Sequence, residues 1–389
     1  MKAIKTIKKT IYMIMCLILL TGCNSKDTST ETKNSNVENN VESQVVEDDV
    51  ATDKNVGEIT EENVQQENDF YEATTINDGR ASYEYTFNPC VLPELYVEAY
   101  GEEFIEYYKG FCDAVLSGDD SFECPDYDTY WKILDVAYYF LPITSDCLDM
   151  PVYDENTIVD GKCDIVYRYS KEEHLKNVEE FKSKLEEVIT TNLQEGDTEL
   201  ERALKLYQYC STTYVYDYEQ LENGTVSGDK YPGGYRMIMD EIGICQEYAA
   251  AYAYLLLQVG IDAEVVGGYN EETAHAWNMI RIDNQYYYAD VTSQSGYLAT
   301  PLYYFGMTID EYIEISGYSV ETHKIGSSSN INITDYYALS DDKFKGLRQC
   351  NFYEIDHQNH TIKYEGYIYD EIDYESDSNG EYFEGKVDF

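Results

Sequence analysis

Metal-ligand spacing is missing from this sequence. None of its ten cysteines forms a C-x-x-C pair, and its five histidines include no H-x-x-x-H. The usual ligand patterns of zinc sites are therefore absent, and neither a metal nor another cofactor is expected. Basic residues are scarce: 27 Lys and Arg stand against 75 Asp and Glu, for a net charge of −48. Such a polyanion is repelled by nucleic acid and by anionic headgroups, so neither is expected as an electrostatic partner. The acidity reads first as solubility and second as a bias toward a cationic substrate. No internal repeat is visible. Beyond the N-terminus no apolar run approaches the roughly 20 residues that span a bilayer. Tyrosine, in contrast, is abundant, with 42 copies, enough to supply core and surface aromatic area or a face for stacking carbohydrate or peptide.

The chain starts with an address. Lys2, Lys5, Lys8 and Lys9 precede an apolar stretch from Ile11 to Leu20, followed by Leu20-Thr21-Gly22-Cys23. A basic start, a short apolar core and small residues before a cut describe a secretory signal. The four-residue box resembles the lipobox of bacterial lipoproteins. That resemblance implies cleavage before Cys23, diacylation of its sulfur and an extracytoplasmic protein anchored at the cell membrane. The alternative is an ordinary signal that happens to end near a cysteine. From Asn24 to Asp69 there is no aromatic, proline or cysteine, and such a stretch cannot offset the entropy of ordering it. It reads as a tether. The folded part is expected from near residue 80, leaving about 310 residues for one large or two small cores.

Within that part, amphipathic periodicity predicts helices over 94–117, 130–140, 171–193 and 199–212. Ile158–Tyr169 reads as a strand, and the Gly-, Asn-, Asp- and Pro-rich 222–234 as a loop. Residues 245–259 form a strongly apolar helix that ends at Gly260, a natural helix-stop glycine. Strands are expected at 261–269, 274–282 and 286–291, with Asp283-Asn284 as a two-residue hairpin turn. Shorter strand-like pieces follow at 302–305, 352–355 and 361–364. The acidic, Tyr-rich end from about Glu365 reads as frayed.

Three residues carry the chemistry. Cys245, in Gly243-Ile244-Cys245, opens the apolar helix. The positive helix end and its unpaired N–H groups favour a thiolate and can bind an oxyanion. Alone, this cysteine reads more readily as a buried structural thiol. His275 lies in Ala-His-Ala-Trp-Asn at the start of one hairpin strand, and Asp290 in Tyr-Ala-Asp-Val-Thr at the end of the next. With a two-residue turn, Ile282 faces Gln285 and Trp277 faces Asp290. His275 and Asp290 then become same-face diagonal neighbours, roughly 7–8 Å apart at the backbone. A carboxylate so placed can orient an imidazole through its far nitrogen. The coincidence with Cys245 lifts the pair above an ordinary structural hydrogen bond.

G-I-C-Q-E-Y-A, G-I-D-A-E-V-V-G-G, H-A-W-N and Y-Y-Y-A-D-V-T, preceded by helix 199–212 and Tyr216-Asp217-Tyr218, resemble the transglutaminase-like superfamily of papain-like folds. The resemblance covers about residues 199–310. It implies an α+β fold, with the catalytic helix packed on an antiparallel sheet and a mainly helical N-terminal extension. The organisation is then a signal (1–22), an acidic tether (23–79), an α/β extension (80–198), the catalytic core (199–310), and C-terminal strands with an acidic tail (311–389).

The resemblance further implies a Cys245–His275–Asp290 triad acting on amide bonds of a protein or peptide, cell-wall peptide included. Hydrolysis is favoured over transamidation. Tyr235, Gln246 and Trp277 are weaker candidates for substrate or oxyanion contacts. Two departures stand out: Glu247 where the family often has Gly, and Ser293-Gln294 where a tryptophan commonly follows the aspartate. Glu247 is expected to be a solvated helix-start acid, with a charge that tunes the histidine as the alternative. An inactive surface binding module and a protein cross-linking transglutaminase remain open as rival functions. The oligomeric state is not legible.

Overall fold

Helix α1, Glu94–Ser117, follows Pro93 and kinks at Gly101, whose φ of 81° breaks the helical run. A small antiparallel sheet is built from β1 (Ser121–Glu123), β2 (Ile158–Val159) and β3 (Lys162–Asp164), in the order β1-β3-β2. Between β1 and β2 lie α2 (Tyr127–Phe140) and the short α3 (Ile143–Cys147). The single strand expected over 158–169 is instead a hairpin. Asp160 and Gly161 both take positive φ and turn the chain, and Ile158 faces Cys163. This computed structural model describes residues 79–149, 157–223, 226, 231–270, 273–296, 300–319, 324–325, 342–368 and 381–389. The signal sequence, Cys23 and the tether up to residue 78 lie outside them. Among the described residues no helix is long and apolar enough to cross a membrane.

Two long helices follow, α4 (Lys171–Asn192) and α5 (Glu199–Thr213). The start of α5 is fixed by a reciprocal cap. Thr198 Oγ1 accepts from Glu201 N at 3.3 Å, and Glu201 Oε2 accepts from Thr198 N at 2.8 Å, which satisfies two otherwise orphan N–H groups. Next come β4 (Val215–Tyr216), α6 (Tyr218–Asn223), α7 (Gly234–Asp240) and β5 (Ile242–Gly243). Strands β4 and β5 pair in parallel, Tyr216 facing Gly243.

Helix α8, Cys245–Gln258, reads CQEYAAAYAYLLLQ and is buried along nearly its whole length. A helix apolar on every side belongs at the centre of a core. It packs on β6 (Ala263–Tyr269) and β7 (Ala274–Ile282) on one side, and on α2, α5 and α7 on others. Asn278 joins the layers, its amide donating to Ala249 O at 2.8 Å and Glu264 O at 3.2 Å. The helix stops at Gly260, φ 79°. Gly260 N donates to Leu257 O and Ile261 N to Leu256 O, at 3.1 and 2.9 Å, the paired bonds of a left-handed glycine stop.

The main sheet is completed by β8 (Gln285–Ala289), β9 (Phe305–Met307) and β10 (Lys324–Ile325), in the order β10-β6-β7-β8-β9 with every pairing antiparallel. Between β8 and β9 lies the short α9 (Val291–Ser295), and after β9 comes α10 (Ile309–Ser316). Strand β9 begins at Phe305, because residues 301–304 are turns rather than the expected strand.

After α11 (Lys345–Arg348), a third sheet of β11 (Phe352–Asp356), β12 (Thr361–Ile368) and β13 (Glu381–Asp388) closes the chain. The end that reads as frayed is thus strand on both sides of residues 369–380, which lie outside the description. Ile362 and Val387 face each other across β12–β13, and both are buried. All eight described cysteines are free thiols.

Candidate active site

The hairpin β7–β8 turns on Asp283 and Asn284, both at positive φ (52° and 62°), as a two-residue turn matched to strand twist requires. Ile282 faces Gln285, and the register runs to Asn278 facing Ala289. Past the end of that register, His275 Nε2–H donates to Asp290 Oδ2 at 2.8 Å. That bond leaves Nδ1 for another partner. Asp290 is 1% exposed and His275 16%. Asp290 also caps α9, accepting Ser293 N–H at Oδ1 (2.9 Å) and Ser293 Oγ–H at Oδ2 (2.8 Å).

Cys245 is the first residue of α8 and is partly exposed. Its thiol and the Asp290 carboxylate both act on the His275 ring. Burial disfavours the imidazolium, but Asp290, and after it Cys245, outweigh burial and hold the His275 pKa well above its ordinary value. Burial likewise opposes the Asp290 anion, yet His275 and the Ser293 donors keep its carboxyl below the usual range. The two shifts belong to one pair and point the same way, toward imidazolium and carboxylate.

Glu247 is a correction to the sequence reading: it is 1% exposed, not solvated. Its carboxylate accepts from Gly233 N at 2.9 Å and from Ile244 N at 3.0 Å, so it ties the residue before Cys245 to the start of α7. Burial raises its pKa, while Gly233 N–H and Arg236 pull the other way. Arg236 bridges Glu247 (3.3 Å) to Asp217 and also donates to Gln220 Oε1 at 2.7 Å. All of this is buried. A Cβ on Gly243 would sit 2.8 Å from both Glu247 Cβ and Met237 Sδ, so the chain can pass over this network only as glycine.

The parallel β4–β5 pair brings the Tyr216 hydroxyl against the Cys245 main chain, and burial raises the Tyr216 pKa. Aromatic rings line the other side. Trp277 stacks on His275 with centroids 6.0 Å apart, and Tyr318 lies parallel to His275 at 6.1 Å. Gln246, beside the thiol, donates its amide to Tyr139 OH at 3.2 Å. Tyr235 packs on Phe181 of α4 at 5.5 Å. The geometry thus brings Cys245, His275, Asp290 and Trp277 together, with Gln246 turned to α2 and Tyr235 to α4.

Arg236 and Tyr318 escape the sequence reading, and Tyr216 and Ser293 enter it only through the resemblance, with no role at the site. Ser293 leaves a signal in the D-x-x-S spacing of a helix start. The others depend on which distant elements meet.

Residues 187–291 match the transglutaminase-like superfamily, and the mixed helix-and-sheet fold carries a transglutaminase-like core there. Solved structures resemble parts of the chain. One is described as a TGase (19% identity, 32% of this chain and 34% of that one, TM-score 0.25). Another is a candidate cysteine protease from Cytophaga hutchinsonii (13% identity, 49% and 55%, TM-score 0.26). A third is LapG of Legionella pneumophila (13% identity, 32% and 66%, TM-score 0.21). The chain thus spans between a third and two thirds of the length of these neighbours. No curated protein matches the sequence.

Proposed function

We propose that this protein is a cysteine-dependent amide hydrolase acting on protein or peptide substrates, with Cys245 as nucleophile, His275 as proton carrier and Asp290 as its orienting partner. The observation that supports it most directly is the half-buried His275–Asp290 bond set beside a partly exposed thiol at the head of a buried helix. His275 takes the thiol proton, and the thiolate adds to the amide carbonyl carbon. The Tyr216 hydroxyl, whose oxygen accepts the Cys245 main-chain N–H in the resting site, turns with that N–H to the developing oxyanion as it forms. The C–N bond breaks as His275 returns the proton to the leaving amine. Water then cleaves the thioester, releasing a carboxylic acid and restoring the thiol. Water is the favoured acceptor because Cys245 and His275 both reach solvent.

The test is alkylation of the full chain with iodoacetamide, mapped cysteine by cysteine. Cys245 should react fastest near neutral pH, and His275→Gln should slow it. If Cys245 reacts no faster than the other described cysteines, and Cys245→Ala leaves peptide turnover intact, the reading fails. Product masses in the presence of a free amine separate hydrolysis from transamidation. Absence of both, with a reactive thiol, would favour a binding module.

The N-terminal box supports a second part of the reading, an extracytoplasmic protein held at the membrane by lipid on Cys23. The acidic chain gains nothing from anionic headgroups, and two acyl chains anchor stably where one does not. Cys23→Ser should release the protein or leave the precursor uncleaved, which mass spectrometry of the N-terminus reads directly.

A further inference from the structure

A buried carboxylate needs donors for its charge, and the donors of Asp290 come from three places. Ser293, three residues on, supplies two, and His275 supplies one. The fourth is the phenol of Tyr312, which donates to Oδ2 at 3.1 Å from α10, 22 residues along the chain. Tyr312 is 1% exposed. Its ring packs on Trp277 at 4.6 Å, meets Tyr288 edge-on at 5.4 Å, and lies parallel to Tyr318 at 6.2 Å. Tyr318 in turn is parallel to the His275 ring, 13° between planes. One aromatic stack therefore touches both members of the His275–Asp290 pair.

The element presenting Tyr312 is itself fixed. Thr308 and Glu311 cap α10 reciprocally, at 3.0 and 3.2 Å. Arg348 grips Glu311 and donates to Gly306 O at 2.6 Å. Asn270, in the β6–β7 connection, donates to Ser316 O at 3.2 Å. Burial, with Asp290 after it, raises the Tyr312 pKa well above the ordinary tyrosine value, so the hydroxyl stays a donor wherever the protein works. Ser293 moves with the cap to which Asp290 belongs. Only a donor from another element can fix the carboxylate plane against His275.

We propose that Tyr312 is a positioning residue for the His275–Asp290 pair, and that the segment from Thr308 to Tyr318, beyond the 187–291 match, completes the active site. The inference rests on the hydrolase reading above.

Tyr312→Phe tests it, because the ring and its packing remain and only the hydroxyl goes. Two measurements on the full chain are needed. The first is the proton and nitrogen resonances of the His275 ring, tractable with five histidines in the chain and assigned by His275→Gln. The second is the rate of Cys245 alkylation by iodoacetamide across pH, with Asp290→Asn alongside. The His275 Nε2–H resonance should move in Tyr312→Phe, and alkylation near neutral pH should fall about tenfold, the scale of one hydrogen bond to a charged group. An unmoved His275 resonance, even with a lower melting temperature, would overturn the proposal by showing a purely structural role. If Asp290→Asn slows alkylation and Tyr312→Phe does not, the positioning role is lost while the hydrolase reading stands. If neither Asp290→Asn nor His275→Gln slows Cys245, the hydrolase reading fails, whatever Tyr312→Phe does to the His275 resonance.

Discussion

Arg236 sits between two buried carboxylates, Asp217 and Glu247, in the layer beneath the candidate nucleophile. Removing one partner of a buried ion network leaves charge without compensation, a cost of about 3–5 kcal/mol. Arg236→Met should therefore lose stability on that scale in urea unfolding, and should slow Cys245 alkylation by loosening the start of α8. Glu247→Gln should cost less, about 1–2 kcal/mol, because the amide keeps one acceptor for the N–H groups at Gly233 and Ile244. Equal losses in the two variants would mean that the ion pair with Arg236 is not what holds these loops. That Cys245, His275 and Asp290 would meet was legible because each lies in a short local pattern and the hairpin arithmetic needs only sequence numbers. Glu247 was misread because an acid in a first helical turn is commonly solvated. A clue was present in Ala249-Ala250-Ala251: a helix so small and apolar all round must be central, and its first turn is buried with it. Tyr312 left no such clue, and Tyr216 only its place before the helix in the resemblance, since their partners are set by tertiary contacts alone.

At the scale of elements, local rules carried the long helices and the β7–β8 hairpin, and gave out at strands of two or three residues. Strands β2, β4 and β5 span two residues each, too short to show a period. Yet β4–β5 is what carries Tyr216 to Cys245. Strand β11 and the first half of β12 coincide with the pieces expected at 352–355 and 361–364, whereas the rest of β12 and all of β13 fall in the end that reads as frayed. The exposed face of β12 and β13 mixes Lys363 and Lys386, Glu365 and Glu384, and Tyr367 and Tyr382, whose rings lie 5.6 Å apart, while Ile362 pairs with Val387 on the buried one, so no clean polar–apolar alternation shows in the sequence. The hairpin turn offers a direct test of the backbone argument. Asn284 holds a φ of 62°, where glycine carries no Cβ penalty. Asn284→Gly should stabilise the protein by about 0.5 kcal/mol without altering thiol reactivity. Gly260→Ala should do the reverse and destabilise by about 1 kcal/mol. Its φ of 79° is the obstacle, for a Cβ there would touch nothing within 4 Å. Thermal unfolding of the two variants should move in opposite directions, and a shared sign would show that contacts rather than φ govern these turns.

For the molecule as a whole, charge and burial combine into one dependence on pH. Burial raises the pKa of Glu247, Asp262 and Glu264, and lifts that of half-buried Asp135 to about 7. A carboxyl near pKa 4 when unfolded and higher when folded contributes stability fully below about pH 4, and loses it as pH rises through the folded value. His275, also raised, acts in the same sense from an unfolded value of about 6.5. Asp290 acts oppositely: its depressed pKa contributes above about pH 4 and is lost as pH falls through the folded value. Stability should therefore peak on the acid side of neutrality, below the range where buried acids must ionise and above the range where Asp290 takes up a proton. A net charge of −48 adds repulsion that grows in the same direction. The unfolding temperature should be higher near about pH 5.5 than near about pH 8. Asp135→Asn separates the two causes. It removes one buried acid but only one unit of net charge, so it should flatten the slope between about pH 4 and about pH 7 while leaving salt dependence almost unchanged. Added salt should raise the unfolding temperature more at the higher pH, where repulsion is larger. If Asp135→Asn leaves the slope intact while salt abolishes it, global repulsion governs the pH dependence and the buried carboxyl at Asp135 contributes little.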